Sequence, residues 1–247
     1  MPSLEAYRRE LDYSYAPGLF PSVEALENAP DRVRRLLISG KAGDNETVQR
    51  LSGLCAARHI RVETADKALS RLSGKENCYA AAVFEKRFDR LSDQGNHIML
   101  HQTSDAGNMG TILRTALGFG YRDIAIVRPA VDVFHPHTVR ASMGALFSLR
   151  VAEFESFDEY RAAYPGHALY PFMLTGSVGL NEAAANKTSP FCLIFGNEGS
   201  GLPEAFAGYG RAVRIPHSDR IDSLNLSIAA AIGMYTFAGE RLYGTAE

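Results

Sequence analysis

Short apolar runs alternate with helical patterns over the first 90 residues and predict a small α/β unit. The predicted strands are residues 33–38, 60–63 and 79–84, and the predicted helices are residues 45–58 and 65–72. In the first of these helices Val48, Leu51 and Cys55 recur on one face, as expected for a helix that packs on a core. The polar stretch 85–96 ends in turn residues and is typical of a linker.

A second series of strands and helices follows the linker. The predicted strands are residues 97–102, 123–128, 147–153, 168–174, 191–195 and 211–215, and the predicted helices are residues 108–119, 137–145, 156–163, 202–208 and 224–240. This alternation predicts a mainly parallel sheet with helices on both faces. Ligands of such sheets bind beyond the carboxyl ends of the strands, where four polar clusters of this chain are expected to lie.

The last predicted helix is apolar in almost every direction, with Leu224, Ile228 and Tyr235 among its side chains. Such a helix is expected to be buried on all sides, either in the centre of the monomer or in a subunit interface. Ser223 and Asn225 lie where the helix begins. Because a helix N-terminus offers unpaired backbone N–H groups, the loop before this helix is a candidate site for a polar or anionic ligand.

Composition and charge narrow the class of protein. The chain has 247 residues, 46% of them apolar, and a formal net charge of −2, which suits one large or two small globular domains. Residues 32–75 hold ten basic and four acidic side chains, whereas the chain from residue 96 onward holds eleven basic and fourteen acidic ones. The basic segment favours contact with nucleic acid, and a solvated charged face is the alternative.

Cysteine usage and the N-terminus indicate the compartment. The three cysteines are far apart and form no CxxC motif, so we expect neither a disulfide framework nor a zinc site, and a reducing cytoplasm. The N-terminus lacks the apolar core of a signal peptide, and no run approaches 18 apolar residues, so no membrane span is expected. His135 and His137 have no third ligand nearby in sequence, and we expect no metal site there.

Two polar clusters precede the one at the last helix. In the first, Asp105 and Asn108 are good helix caps, and Arg114 follows in a helix with few other charges. A capped helix with one surface arginine is the alternative interpretation. In the second, a buried strand enters a glycine-rich loop that carries Glu198. The spacing of its glycines matches neither a P-loop nor a dinucleotide-binding fingerprint, and an ordinary turn is the alternative.

These clusters, about 80 and then 25 residues apart, resemble the SpoU-type (TrmH-like) branch of the SPOUT RNA methyltransferases. The matching motifs are Asn108-Met-Gly-Thr-Ile-Leu-Arg-Thr, Phe195-Gly-Asn-Glu-Gly-Ser-Gly-Leu and Ile215-Pro followed by Asp222-Ser-Leu-Asn-Leu-Ser. The resemblance covers residues 96–243. Residues 1–90 resemble, more loosely, the small α/β substrate-binding domain that precedes many of these enzymes. They depart from its pattern by carrying Lys75-Glu-Asn-Cys-Tyr in place of His-Gln-Gly.

The resemblance implies the fold and the activity. We expect an α/β SPOUT methyltransferase domain over residues 91–247, with a parallel sheet and a C-terminal trefoil knot, preceded by a substrate-binding domain over residues 1–90. The implied activity is transfer of a methyl group from S-adenosylmethionine to a ribose 2′-hydroxyl of ribosomal or transfer RNA. The implied assembly is a homodimer that pairs through the knot region and helix 224–238, without metal or membrane, in the cytoplasm.

The resemblance also assigns roles to individual residues. The adenosine site would be lined by Thr175, Gly196, Ile215 and Leu224. Arg114 matches the arginine assigned to the attacking hydroxyl. Because a guanidinium stays protonated in proteins, we expect it to orient the nucleotide and stabilise developing alkoxide charge. The remaining catalytic residues would be Asn108 and Ser223, which hold Arg114 and the phosphate, Glu198, which restrains the arginine or accepts from the substrate, and Asn225, which fixes the knot loop.

Alternatives remain open at this stage. A non-catalytic RNA-binding relative would keep the fold without the activity, and an α/β enzyme could use another nucleotide. The missing P-loop and dinucleotide fingerprints disfavour the second. His217 and the polar residues after it replace small and apolar residues common in this loop of the family. His217 is either a proton acceptor near neutral pH or a loop histidine without that role.

Overall fold

A computed structural model describes residues 5–73 and 78–239, and the chain divides into two compact units. Unit 1 comprises residues 1–87 and 132–148, and unit 2 comprises residues 88–131 and 149–247. Most of the departure from the family pattern at Lys75–Tyr79 lies outside the described residues, as does the last residue of the predicted helix 224–240.

Unit 1 is built on a mixed four-stranded sheet. Its elements are β1 (Tyr13–Pro17), α1 (Leu19–Asn28), β2 (Val33–Ile38), α2 (Glu46–Ala57), β3 (Arg61–Thr64), α3 (Asp66–Ser73), β4 (Ala80–Glu85) and α5 (Pro136–Ala141). The strand order is β1-β4-β2-β3, with β2 and β3 parallel and the other pairs antiparallel. The strands and helices predicted within residues 33–84 are present within one residue at each end. The pattern missed β1 and α1, because Ser14 is a buried polar residue in the strand and Pro21 lies in the first turn of the helix.

Residues 132–148 pack with unit 1, although they follow β6 of unit 2 in the chain. Ser14 Oγ donates to the Phe134 carbonyl oxygen over 2.5 Å, and the rings of Phe84 and Phe147 meet edge to face at 4.9 Å. This corrects the prediction of a second domain that is continuous from residue 91. The reason is long-range aromatic packing, which a periodicity pattern does not record.

Ion pairs neutralise much of the basic segment 32–75. Arg35 and Arg61 both pair with Glu63, at 3.3 and 3.0 Å, and Arg34 lies 2.7 Å from Asp12. Acids outside the segment, such as Asp12, supply part of the compensating charge. The count of basic residues therefore overstates the positive potential that this segment contributes.

Unit 2 is built on a five-stranded sheet that is parallel throughout, in the order β7-β6-β5-β10-β8. Its elements are β5 (His97–His101), α4 (Ala106–Gly118), β6 (Asp123–Val127), β7 (Arg150–Phe154), α6 (Phe157–Ala163), β8 (Ala168–Pro171), β9 (Val178–Gly179), α7 (Leu180–Ala185), β10 (Phe191–Phe195), β11 (Val213–Arg214) and α8 (Leu226–Ala238). The short strands β9 and β11 form a separate parallel pair. The predicted parallel sheet is confirmed.

Several predicted boundaries are wrong. The helix predicted over 137–145 ends at Ala141 and is followed by a 3₁₀ turn over Ala145–Ser148, and the helix predicted over 202–208 is a 3₁₀ helix over Glu204–Gly208. The strand predicted over 168–174 ends at Pro171, because the chain leaves the sheet there to pair with β11. The elements β9 and α7 were not predicted.

No helix among the described residues is long and apolar enough to span a bilayer. Within the same residues, no cluster of three or more His, Cys, Asp or Glu side chains is arranged to hold a metal ion.

Candidate active site

Three polar segments of unit 2 meet at the carboxyl ends of its central strands. Strands β5 and β10 are parallel neighbours with Phe195 opposite Leu100, so the loops that follow them begin side by side. The segment before α8 joins them, since Asn225 Nδ2 lies 3.2 Å from Asn108 Oδ1. The clusters that were predicted to share one edge of the sheet therefore do so.

A chain of side-chain hydrogen bonds links the three segments. Asn108 Nδ2 donates to Glu198 Oε1 over 3.2 Å, and Asn108 Oδ1 accepts from Asn225 Nδ2. Asn225 Oδ1 accepts from Ser227 Oγ over 2.6 Å and from the backbone N–H groups of Ser227 and Ile228. Asn225 is thus the N-cap of α8 and also holds α4. We refer to Glu198, Asn108 and Asn225 as the carboxamide relay.

The Glu198 carboxylate is held by four donors. Its Oε2 accepts from Ser104 N (3.0 Å) and Ser104 Oγ (2.9 Å), and its Oε1 accepts from Asp105 N (3.1 Å) and Asn108 Nδ2. Partial burial alone would raise the pKa of Glu198, but the hydrogen bonds from Ser104 and Asn108 outweigh it and hold the pKa below its ordinary value. The predicted restraint of Arg114 by Glu198 is therefore not seen, because these donors occupy both carboxylate oxygens.

Arg114 lies on the exposed face of α4. It follows Asn108 by six residues, which places it roughly 240° further around the helix. Within residues 5–73 and 78–239, no hydrogen bond or ion pair holds its guanidinium. The predicted contact between Asn108 and Arg114 is absent from this part of the chain, because the Asn108 carboxamide faces Glu198 and Asn225 instead.

A cavity of about 390 Å³ opens in unit 2, and every residue that was predicted to bind a cofactor lines it. Those residues are Thr175, Gly196, Ile215 and Leu224. Of the predicted catalytic residues, Glu198 and Ser223 also line the cavity. Ser223 is exposed and lies two residues before the cap Asn225, so it is not the first residue of the helix.

The loop over residues 196–201 is fixed by its backbone and by a residue the sequence analysis did not single out. A Cβ at Gly196 would lie 2.3 Å from the Gly201 carbonyl carbon, so only glycine fits there. Asn197 Oδ1 accepts from Gly199 N (2.9 Å), and Asn197 Nδ2 donates to the Gln102 carbonyl oxygen (2.8 Å). Asparagine is a common turn former, so its position before a glycine-rich turn could have identified Asn197 from the sequence.

His217 also lines the cavity. Its Nδ1 lies 2.9 Å from the Ile215 carbonyl oxygen. Because a carbonyl oxygen only accepts, Nδ1 carries the hydrogen, and Nε2 of the neutral ring is left as an acceptor. The polar residues that follow, from Ser218 to Arg220, are exposed, and nothing in the structure explains their chemistry.

The helix α8 is not buried on all sides, which corrects the sequence analysis. Ala230 and Met234 are fully buried, whereas Ile228 and Tyr235 are 52% and 50% exposed. These two exposed side chains are seven residues apart and share one face. One face of the helix therefore packs in the core of the monomer, and the other is an uncovered apolar stripe of the kind expected for a subunit interface.

A parallel α/β sheet with a glycine-lined cavity beyond the carboxyl ends of its strands has the arrangement in which such proteins bind their ligands. The family model of the SpoU rRNA methylase family matches residues 95–235, which is more than half of the chain. The chain therefore belongs to the SpoU rRNA methylase family. The family and the α/β fold expected from the sequence are confirmed.

Similar proteins include two curated relatives and one solved structure. The chain is 29% identical over 225 residues to the 23S rRNA (uridine(2479)-2′-O)-methyltransferase of Streptomyces viridochromogenes, covering 86% of this chain and 78% of the relative. It is 29% identical over 163 residues to the 23S rRNA (guanosine(2553)-2′-O)-methyltransferase RlmP of Bacillus subtilis, covering 64% of each. The AdoMet-bound rRNA methyltransferase from Sinorhizobium meliloti is 30% identical, with a TM-score of 0.77 over 93% of this chain and 87% of that one.

Proposed function

We propose that this protein transfers a methyl group from S-adenosylmethionine to a ribose 2′-hydroxyl of RNA. Membership of the SpoU family supports the reaction class. The observation that carries the assignment is the carboxamide relay, in which Glu198, Asn108 and Asn225 join the glycine-rich loop to the first turns of α4 and α8. Because Glu198 also lines the cavity, the relay ties the cavity wall to the helix that bears Arg114.

The cavity suits S-adenosylmethionine. Its volume of about 390 Å³ falls within the range of roughly 300–1,000 Å³ that is usual for cofactor pockets. Ile215 and Leu224 offer apolar walls for an adenine ring, and the bare backbone at Gly196 is open to hydrogen bonds. Thr175 adds a hydroxyl at the rim. When bound, S-adenosylmethionine supplies an electrophilic methyl group, and the attacking oxygen must be held in line with it.

Arg114 is the residue we assign to the RNA side of the reaction. A guanidinium remains protonated, so it does not remove the proton of the hydroxyl. Its planar fork is suited to hold a phosphate and to stabilise negative charge that develops on the 2′-oxygen. The exposure of Arg114 leaves it accessible to RNA. We assign a contact with the same phosphate to Ser223, which is exposed and lines the cavity.

Replacement of Arg114 by lysine tests this role. Lysine keeps the charge and loses the two-pronged fork, so we expect turnover to fall by about tenfold or more while S-adenosylmethionine still binds normally. Near-normal turnover of Arg114→Lys with intact cofactor binding would contradict the role.

Replacement of His217 by glutamine, measured beside it, shows whether Nε2 of His217 accepts the proton of the hydroxyl, because glutamine keeps the polarity and loses the basicity.

Isothermal titration calorimetry with S-adenosylmethionine tests the proposed function itself. We expect one site per chain and loss of binding when the cavity is blocked. A folded protein that shows no binding would overturn the proposal. A non-catalytic RNA-binding relative is the alternative, and the presence of Arg114, Glu198, Ser223 and Asn225 argues for the enzyme.

We further propose that ribosomal RNA is the substrate, because both curated relatives named above are 23S rRNA 2′-O-methyltransferases. The proposed compartment is the cytoplasm, in keeping with the free thiols of the three cysteines. Unit 1 is the proposed RNA-binding domain. The C-terminal trefoil knot implied by the family stays a prediction.

A homodimer is the proposed assembly. The stripe on α8 exposes Ile228 and Tyr235, with Ile232 half-buried between them. Apolar side chains at this spacing form the face through which helices pair. A second copy of the same helix would cover the stripe and remove these side chains from water.

A further inference from the structure

Unit 1 contains a cavity of about 200 Å³ that has no part in the site described above. Four separate stretches of chain line it: the segment around Tyr7, strand β1, helix α3 and the segment that enters α5. This volume is below the range of about 300–1,000 Å³ that takes a whole drug-sized ligand. The cavity therefore suits a fragment such as one base with its phosphate.

The charge of the cavity is positive. Arg71 from α3 and Arg140 from α5 both line it. The one carboxylate among its lining residues, Glu5, lies 2.5 Å from Arg8 Nη2 and is neutralised there. Outside the lining, Lys86 Nζ lies 5.2 Å from the centre of the Tyr7 ring and offsets the Asp132 carboxylate that accepts from the Tyr7 hydroxyl. A pocket with two guanidinium groups and a compensated acid is suited to a phosphate.

Aromatic rings form the rest of the wall and are held in place. Tyr7 donates its hydroxyl hydrogen to Asp132, and Tyr15 donates to the Glu5 carbonyl oxygen over 2.6 Å. The Tyr7 and His135 rings meet edge to face at 5.3 Å. His137 is exposed at the same cavity. Rigid aromatic surfaces beside arginine are the features on which unpaired bases stack.

We infer that this cavity binds one unpaired nucleotide of the RNA substrate, with the base against the Tyr7, His135 and His137 side and the phosphate on Arg71 and Arg140. The inference rests on the proposed function, because it names the contact through which unit 1 holds RNA. It also explains why unit 1 carries His135 and His137 without a metal ligand set among the described residues. The contact is directed at a flipped or single-stranded nucleotide, since an aromatic wall cannot reach the face of a stacked base.

Fluorescence anisotropy with a fluorescein-labelled uridine 12-mer tests the inference. We expect Arg71→Gln to weaken binding about five- to tenfold near 100 mM salt and to reduce the slope of log Kd against log salt by about 0.7, the value for one phosphate contact on a single strand. His137→Ala should weaken binding roughly tenfold, because it removes a stacking surface. Arg140→Gln serves as a second charge variant if Arg71→Gln fails to fold.

The matched control is Arg58→Gln. Arg58 is an exposed arginine of unit 1 outside the cavity, and it hydrogen bonds only weakly to the Leu54 carbonyl oxygen of its own helix, at 3.5 Å. This variant should keep wild-type affinity and slope. Equal losses in Arg58→Gln and Arg71→Gln would overturn the inference, because they would indicate a diffuse basic surface. Unchanged binding by both Arg71→Gln and His137→Ala would also overturn the inference.

Two further measurements distinguish this inference from binding of a free nucleotide and from failure of the proposed function. If uridine monophosphate alone binds as tightly as the 12-mer, the cavity serves a free nucleotide and the inference is wrong. Methyl transfer to RNA is measured on the same preparation. A wild-type protein that binds the 12-mer through Arg71 and shows no S-adenosylmethionine binding would refute the proposed function and leave the nucleotide pocket standing.

Discussion

The Asn225 side chain donates a hydrogen bond to Asn108 Oδ1 over 3.2 Å and so joins two positions that are 117 residues apart. The same Asn108 carboxamide donates to Glu198. An amide is suited to this central place because it donates and accepts at once, whereas a carboxylate only accepts. The geometry of three loops around the cavity therefore depends on one side chain of α4.

Removal of that side chain is the first test. Asn108→Ala breaks both hydrogen bonds, and we expect the free energy of unfolding to fall by about 1–2 kcal/mol and kcat/KM to fall more than tenfold as the loops loosen. Asn28→Ala is the matched control, because Asn28 Nδ2 donates to Glu24 Oε2 over 2.8 Å at an exposed position of α1. There we expect a change within about 0.5 kcal/mol. Wild-type turnover of Asn108→Ala would show that the relay does not organise the site.

The glycine loop gives a second, purely steric test. In Gly196→Ala the new methyl group would lie 2.3 Å from the Gly201 carbonyl carbon, whereas in Gly199→Ala the nearest atom is Asn197 Oδ1 at 3.5 Å. Overpacking of this kind costs about 1–3 kcal/mol. Calorimetry should therefore find S-adenosylmethionine bound at least about tenfold more weakly by Gly196→Ala and normally by Gly199→Ala. Equal affinities in the two variants would place the cofactor elsewhere.

The exposed stripe on α8 predicts the assembly state. A glutamate at Ile228 would place a charge in the proposed interface, and we expect Ile228→Glu to sediment as a monomer at concentrations where the wild type is a dimer. Phe20→Glu is the control, because Phe20 is 68% exposed in unit 1 and lies outside the stripe. A wild-type monomer, or an Ile228→Glu dimer of undiminished stability, would rule out this interface.

His97 predicts how stability depends on pH. The ring is fully buried, with Nδ1 2.9 Å from the Tyr160 hydroxyl and Nε2 2.9 Å from the Ser92 carbonyl oxygen. Because a carbonyl oxygen only accepts, the hydrogen is on Nε2 and Nδ1 accepts from Tyr160. Burial, helped by the neighbouring His167, lowers the pKa of His97 to about 4 from its ordinary 6.5. The folded protein therefore holds His97 neutral where the unfolded chain would protonate it.

The sign of the effect follows from these two pKa values. Above pH 6.5 neither state binds the proton and stability is complete, and as the pH falls from 6.5 to 4 the unfolded state gains the proton first. The loss should reach about 3 kcal/mol, at roughly 1.4 kcal/mol per pH unit. His97→Gln, which keeps a donor and an acceptor, should lose correspondingly less stability between pH 7.5 and 4.5 in denaturant titrations. An identical pH dependence in both proteins would contradict the lowered pKa.

The sequence predicted the central strands well and the long-range contacts poorly. Residues Phe191–Phe195 are apolar without interruption, which is the pattern of a strand buried on both faces, and the predicted bounds agree with the structure. The start of α8 was predicted within two residues, since the helix was expected from residue 224 and the structure has Asn225 as its N-cap. These features depend on local composition, so the sequence contains them directly.

The carboxamide relay and the boundary between the two units could not be predicted without the three-dimensional structure. Nothing local to Glu198 indicates that the backbone N–H groups of Ser104 and Asp105 point at it from 94 and 93 residues away, respectively. The motif match also could not show on which side of α4 Arg114 lies. A match of residue types does not determine the neighbours of each side chain. Residues 132–148 joined unit 1 through aromatic contacts such as Phe84 with Phe147, which leave no periodic signal.

The central claim is the chemistry, and mapping of the methylated position tests it most directly. Purified protein is incubated with unmodified ribosomal RNA and S-adenosylmethionine that carries a labelled methyl group, and the RNA is digested to nucleosides and separated. We expect the label on the 2′-oxygen of one ribose, with its transfer reduced in Arg114→Lys and Asn108→Ala. Label on a base, or no transfer to any RNA by a protein that binds the cofactor, would contradict the assignment.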